Sequence, residues 1–139
     1  MTRAATLPAT AAEAMVTVPK TLPVGTTVGQ VRAAFEDDHV HMLLLTSEGA
    51  LLGTLVRADL DSAVPAAAPA LGLATLRGRT VAPDEDLEEV RLRMIAAGRR
   101  RLAVVGPGNR LLGLLCLKRD QSGFCTDAGV AARARAGHP

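Results

Sequence analysis

Thr27-Val28-Gly29-Gln30-Val31 and Asp86-Leu87-Glu88-Glu89-Val90 decide how this chain is read, because they open in the same way and lie 90 − 31 = 59 residues apart. Thr27 and Asp86 are residues that cap helices, and Gln30 and Glu89 follow each three places on. In that pattern two side chains reciprocally satisfy amides of a helix's first turn. Behind the caps, Val28, Val31 and Phe35 in one segment and Leu87, Val90 and Met94 in the other keep spacings of three and seven. Such spacings put the side chains on one helix stripe facing a core.

Working outward, each helix is followed by a short apolar run, Met42 to Leu45 and Leu102 to Val105. A Gly-containing turn comes next, then a second run, Leu51 to Val56 and Leu111 to Leu117, so each half reads as strand, turn, strand. Leu52-Gly53 matches Leu112-Gly113 at 112 − 52 = 60, one residue of slippage taken up in a loop. Ahead of each helix stands an extended piece, Lys20-Thr21-Leu22-Pro23 and Thr80-Val81-Ala82-Pro83. Each half is therefore expected to be β-α-β-β closed by a polar helical segment. One half cannot cover its sheet alone, so the two, related by a pseudo-two-fold, are expected to fuse into one α+β core. The expected limits are a tail over 1–12, repeats over 13–64 and 71–124, a Pro/Ala linker over 65–70 and a tail over 125–139, with a short helix from Asp127 to Arg135 as one reading of the latter.

Composition fits one soluble domain of 139 residues in which 48% hydrophobic residues suffice for a core. Two Phe and no Trp or Tyr make that core aliphatic and exclude a ligand cage of aromatic rings. Sixteen basic and fourteen acidic residues leave a net +2, too small to imply nucleic acid or an anionic membrane by charge alone. No signal peptide is legible, and Ala63 to Ala74 is too short and too rich in Pro and Gly to span a membrane, so a cytoplasmic location is expected. Cys116 and Cys125 show no metal-knuckle spacing and argue against a disulfide framework. Catalytic motifs are missing from the sequence, and the acidic run Asp84 to Glu89 is explained by the favourable placement of negative charge at a helix N-terminus.

The doubled β-α-β-β-α plan, with Gly49-Ala50-Leu51-Leu52-Gly53 and Arg57-Ala58-Asp59-Leu60 in the first half and Gly98 to Val105 with Arg110-Leu111-Leu112-Gly113-Leu114 in the second, resembles the CBS (cystathionine-β-synthase-type) domain family. The resemblance covers roughly residues 13 to 124. It implies a stand-alone pair of repeats that binds an adenosine-containing ligand such as AMP, ADP, ATP or S-adenosylmethionine between them, has no catalytic activity or cofactor of its own, and forms a homodimer or serves an unidentified protein partner.

In the family's nucleotide motif a Gly and two apolar residues precede a hydroxyl residue, two variable residues and an Asp. In the first half Val56 stands at the hydroxyl position and Asp59 at the acidic one; in the second, Cys116 and Arg119 stand there. The resemblance gives Asp59 the ribose hydroxyls, for which a carboxylate offers charged acceptors; the other reading is that Asp59 caps its turn. Arg57, Arg119 and the run Arg99-Arg100-Arg101 are available for phosphate through the planar fork of arginine. The run reads equally as an exposed solubilising turn, and less well as a polyanion site, since nothing aromatic is present for bases to stack on. Thr21, Thr80 and His41, the last aligned with Arg100, complete the candidate ligand set. His39 and His41 form an H-x-H pair with no third metal ligand nearby, and no metal site is assigned. Cys116 reads as a small buried hydrophobe, and Met15, Met42 and Met94 as core filler. The alternative to a nucleotide sensor is an interaction or dimerisation module whose nucleotide sites have decayed.

Overall fold

The computed structural model describes residues 9–125. In chain order the elements are α1 (Ala11–Ala14), β1 (Leu22–Pro23), α2 (Val28–Ala34), β2 (Leu43–Ser47), β3 (Ala50–Leu55), β4 (Thr80–Val81), α3 (Leu87–Ala97), β5 (Arg101–Val105) and β6 (Leu111–Cys116), with 3-10 turns at Arg57–Asp59, Ala70–Leu73 and Pro107–Asn109. They form two three-stranded sheets, β1-β2-β3 and β4-β5-β6. The mixed α+β plan of two repeats is thus the observed one. Among the described residues no helix is long and apolar enough to cross a membrane.

Two compact units result, the first made of residues 20–80 with 106–111, the second of 81–105 and 112–125 with the N-terminal segment 9–19. In the first unit β1 runs parallel to β2, with Leu22 opposite Leu45, and α2 supplies the crossover that parallel pairing requires. β3 returns antiparallel through a two-residue turn in which Glu48 (φ 52°) and Gly49 (φ 83°) both take positive φ, the geometry that matches strand twist in tight hairpins. Val28, Val31 and Phe35 bury against Leu43, Leu45 and Leu55, as the stripe predicts. The capping box is complete: Gln30 N donates to Thr27 Oγ1 at 3.2 Å, and Thr27 N to Gln30 Oε1 at 2.9 Å.

In the second unit Val90 and Met94 bury with Val81, Leu102, Val104 and Leu115. Here only half of the expected box forms. Asp86 Oδ2 accepts from Glu89 N at 3.0 Å, while the carboxylate that closes a neighbouring loop is Glu85, accepting from Ala82 N at 2.9 Å. α3 stops at Gly98 (φ 69°), where Gly98 N and Arg99 N donate to the carbonyls of Ile95 and Met94 and so satisfy the helix's last acceptors.

The segment ahead of each repeat completes the unit of the other. Val16 and Leu114 exchange backbone hydrogen bonds at 2.8 and 3.0 Å, and Thr75 and Thr54 do the same at 3.0 and 2.9 Å. The symmetry extends further back: Leu87 N donates to Ala9 O and Val28 N to Ala68 O, each at 2.9 Å, with 68 − 9 = 87 − 28 = 59. Residues 9–16 and 68–75 are therefore a repeated lead-in, and the Pro/Ala stretch supplies carbonyls to the first amides of α2. The two Leu-Gly pairs acquire a reason here. A Cβ on Gly113 would stand 2.6 Å from both Met15 Sδ and Val16 O, and one on Gly53 2.6 Å from Ala74 Cβ. Only a residue without a side chain lets the lead-in cross so closely.

The closing helical segments are smaller than the sequence suggested. The first is the single 3-10 turn Arg57–Asp59. After β6 the chain instead folds back, with Leu117 bridged antiparallel to Phe124. Asp120-Gln121-Ser122-Gly123 is turn chemistry: Asp120 Oδ1 accepts from Ser122 N at 3.0 Å, and Gln121 takes φ 66°. The expected tail helix lies outside the described residues.

Candidate functional site

In the first unit the turn after β3 carries Val56, Arg57 and Asp59. Asp59 Oδ2 accepts from Val56 N at 2.8 Å, closing the turn on itself. Both carboxylate oxygens also meet Arg79, with Nη1 at 2.6 Å from Oδ2 and Nη2 at 3.0 Å from Oδ1. The pair is sequestered, its side chains 7% and 17% exposed for Arg79 and Asp59. Arg79 Nη1 additionally reaches Thr54 O at 3.2 Å, while its Nε is buried without a hydrogen-bond partner among the described residues. The capping role weighed for Asp59 in the sequence is therefore seen, together with an ion pair that sequence reasoning missed. One signal was present: Arg79 occupies the repeat position of Lys20, since 79 − 59 = 20.

Arg57 turns away from Asp59. Its guanidinium lies 5.1 Å from the Phe35 ring centroid and donates to the carbonyls of Phe35 (2.9 Å) and Asp37 (2.6 Å), satisfying acceptors just past the end of α2. Thr21 is exposed, whereas Val56 and His41 are half-buried. His39 is exposed, and its Nδ1 stands 3.2 Å from Asp37 Oδ1. The backbone N–H of His39, followed by its ring, holds the Asp37 carboxyl below the usual range. A separate concavity of about 510 Å³ is lined by Leu22, Pro23, Gly25, Thr26, Gln30 and Ala34, none of them among the other candidate residues.

In the second unit the arginine run bridges α3 and β5. Leu117 N donates to Arg100 O at 2.9 Å, and Arg100 Nε donates to Leu117 O at 3.2 Å, which fixes the run beside the end of β6. Arg101 Nη1 donates to Arg100 O at 3.1 Å. Arg99, Arg100 and Arg101 are half-buried, and Arg119, two residues beyond Leu117, is exposed. Among the described residues none of these four arginines joins an ion pair. Cys116 is 5% exposed; Thr80, on β4, is half-buried and is the last residue of the 20–80 stretch of the first unit. Asp120, in the turn beyond, is held below the usual carboxylate range by the N–H and hydroxyl of Ser122 and by Lys118. The second unit thus brings Arg99 to Arg101, Cys116 and Arg119 around one strand end, and the first keeps Asp59 with Arg79.

Residues 79–119 match the model of the CBS domain family. No curated protein matches the sequence. The fold agrees over nearly the whole chain with solved structures: AcuB from Vibrio cholerae is 20% identical, with a TM-score of 0.66 over 94% of this chain and 93% of that one. The CBS domain protein PAE2072 from Pyrobaculum aerophilum, complexed with AMP, is 19% identical, with a TM-score of 0.62 over 91% of this chain and 98% of that one. The cytosolic domain of the Mg2+ channel MgtE, in complex with ATP, is 25% identical, with a TM-score of 0.63 over 81% of this chain; the match spans 47%, about half, of that chain's length. The chain thus has the fold of CBS-domain pairs, and residues 79–119 match the CBS family model. Its two repeats share the pair fold, and the second carries the family's sequence pattern.

Proposed function

We propose that the chain is a non-catalytic regulatory module that binds an adenine nucleotide, with Arg99, Arg100, Arg101 and Arg119 recognising the phosphates. The observation that carries this reading is the gathering of four arginines, none of them ion-paired among the described residues, where Arg100 is pinned to Leu117. Guanidinium forks so placed suit a polyphosphate, and charged hydrogen bonds of this kind contribute about 1.5–3 kcal/mol each. The MgtE domain with ATP and PAE2072 with AMP support the ligand class. Cys116 is the remaining candidate in the second unit, and Thr80 belongs to the first. A separate reading within the first unit gives Asp59 the ribose hydroxyls, with Val56, Arg57, Thr21 and His41 as its further candidates.

One observation favours a second reading, an interaction or homodimerisation module with decayed sites. Both Asp59 oxygens are already engaged by Arg79 and Val56. Calorimetric titration with AMP, ADP, ATP and S-adenosylmethionine separates the two. Saturable ATP binding that weakens at least about tenfold in Arg101→Ala and in Arg119→Ala is the expected result. No binding of any of the four ligands by a chain that is a defined dimer would overturn it in favour of the interaction module.

A further inference from the structure

Cys116 and Cys125 stand opposite one another. Around the Leu117–Phe124 bridge, Cys125 N donates to Cys116 O at 2.8 Å and Lys118 N donates to Gly123 O at 2.9 Å. That pattern makes 117/124 the non-hydrogen-bonded pair of an antiparallel ladder and 116/125 its hydrogen-bonded neighbour, where facing Cα atoms lie about 5.5 Å apart. Disulfides span Cα separations of about 4.4–6.8 Å. Directly opposed residues also present their side chains to the same face. Here both enter one buried cluster with Val16, at 5% and 9% exposure for Cys116 and Cys125. Both are thiols in the structure.

We infer that Cys116 and Cys125 are a redox site that closes to a reversible intramolecular disulfide. The oxidant is a low-molecular-weight disulfide, RSSR. The thiolate of Cys125, the more exposed of the two, attacks one sulfur of RSSR and expels RS⁻, forming a mixed disulfide. The Cys116 thiolate then attacks the Cys125 sulfur and expels the second RS⁻. The two cysteines lose two electrons and two protons; RSSR takes up both electrons, and the protons convert the leaving thiolates to 2 RSH. Bonding requires the Cβ atoms of a hydrogen-bonded pair to draw in from about 4.5–5.5 Å to about 3.5–4.5 Å. The strain this introduces makes the bond easier to reduce, which suits a reversible site. Reagent reaches the sulfurs when the exposed turn from Lys118 to Ser122 opens locally, so the rate follows that opening. Closure ties down the turn that carries Lys118 and Arg119.

The full chain is equilibrated in glutathione buffers of increasing oxidised fraction, acid-quenched and digested with trypsin without reductant. Cleavage at Lys118 and Arg119 places Cys116 on Leu111–Lys118 and Cys125 on Asp120–Arg133. The expected result is these two peptides joined, lighter by two hydrogens, from monomeric protein, and released by dithiothreitol. In Cys116→Ser, Cys125 should instead carry a single glutathione. Glutathione on both cysteines without a linked peptide, disulfide-linked dimers, or two unmodified thiols in protein still folded by circular dichroism would each overturn the inference.

Discussion

Replacing Asp59 with alanine removes the carboxylate that meets two nitrogens of Arg79 and caps Val56 N. What stays behind is a guanidinium only 7% exposed, with Thr54 O and Thr54 Oγ1 on Nη1 and an Nε that has no partner among the described residues. Removing one member of a buried pair costs about 3–5 kcal/mol because the survivor's charge is left uncompensated. The 17% exposure of Asp59 lets water into part of the space and favours the lower end, while the lost cap adds about 1 kcal/mol. Asp59→Ala is therefore expected to destabilise the chain by about 4 kcal/mol. Arg79→Met should cost less, because Asp59 keeps the Val56 N–H and its partial access to solvent. The double variant should fall short of the summed single effects by at least about 1.5 kcal/mol, the signature of a direct interaction. With no Trp or Tyr to report by fluorescence, urea unfolding followed by far-ultraviolet circular dichroism is the assay. A loss below about 1 kcal/mol in Asp59→Ala, or additive effects in the double variant, would refute the pair's structural role. The result also governs how nucleotide titrations of Asp59→Ala are read, since weakened binding in that variant can report a loosened turn as well as a lost contact.

Gly113→Ala should destabilise by about 1–3 kcal/mol, because its methyl would meet the Val16 carbonyl, a backbone atom that cannot rotate away; thermal melting by circular dichroism checks this, and an unchanged midpoint would contradict the close crossing. Acid should weaken the second unit through Glu85, which is held below the ordinary glutamate value of 4.5 first by the Ala82 N–H and then by Arg93. A lowered folded pKa gives stability that is present above the unfolded value and lost as pH falls through the folded one. The urea midpoint should therefore drop as pH falls below about 4.5, and Glu85→Gln should lose stability near neutrality and show a shallower acid slope.

Features written in side chains were legible in the sequence. The Thr27 box, the Asp86 cap and the stripes of α2 and α3 depend on residue type, and periodicity and capping chemistry reveal them. The lead-in pairings were not, because Ala9, Ala68, Val16 and Thr75 act through backbone groups that every residue possesses. The sequence placed the tail boundary at residue 12 and Met15 in the first repeat; the structure sets Met15 and Val16 against Gly113 and Leu114 of the second unit. Arg79 escaped notice because arginine is ordinarily a surface residue, and only the fold brings it to Asp59. Cys116 was read correctly as buried, but its register with Cys125 depended on a turn where a helix was anticipated.

The exchanged lead-ins fix an order of assembly during synthesis. The partner of Thr54 is Thr75, only 75 − 54 = 21 residues later, so the first unit has most of its contacts soon after that stretch leaves the ribosome. Val16 waits for Leu114, 114 − 16 = 98 residues downstream, and pairings so distant in sequence are slow to close. Until then only the α1 end of residues 9–16 has partners in its own unit, at 83–87, and Val16 lacks the strand it pairs with. A nascent chain at that stage can also join another molecule's second unit through Val16. Dilution during refolding should therefore decide how much exchanged dimer accompanies the monomer.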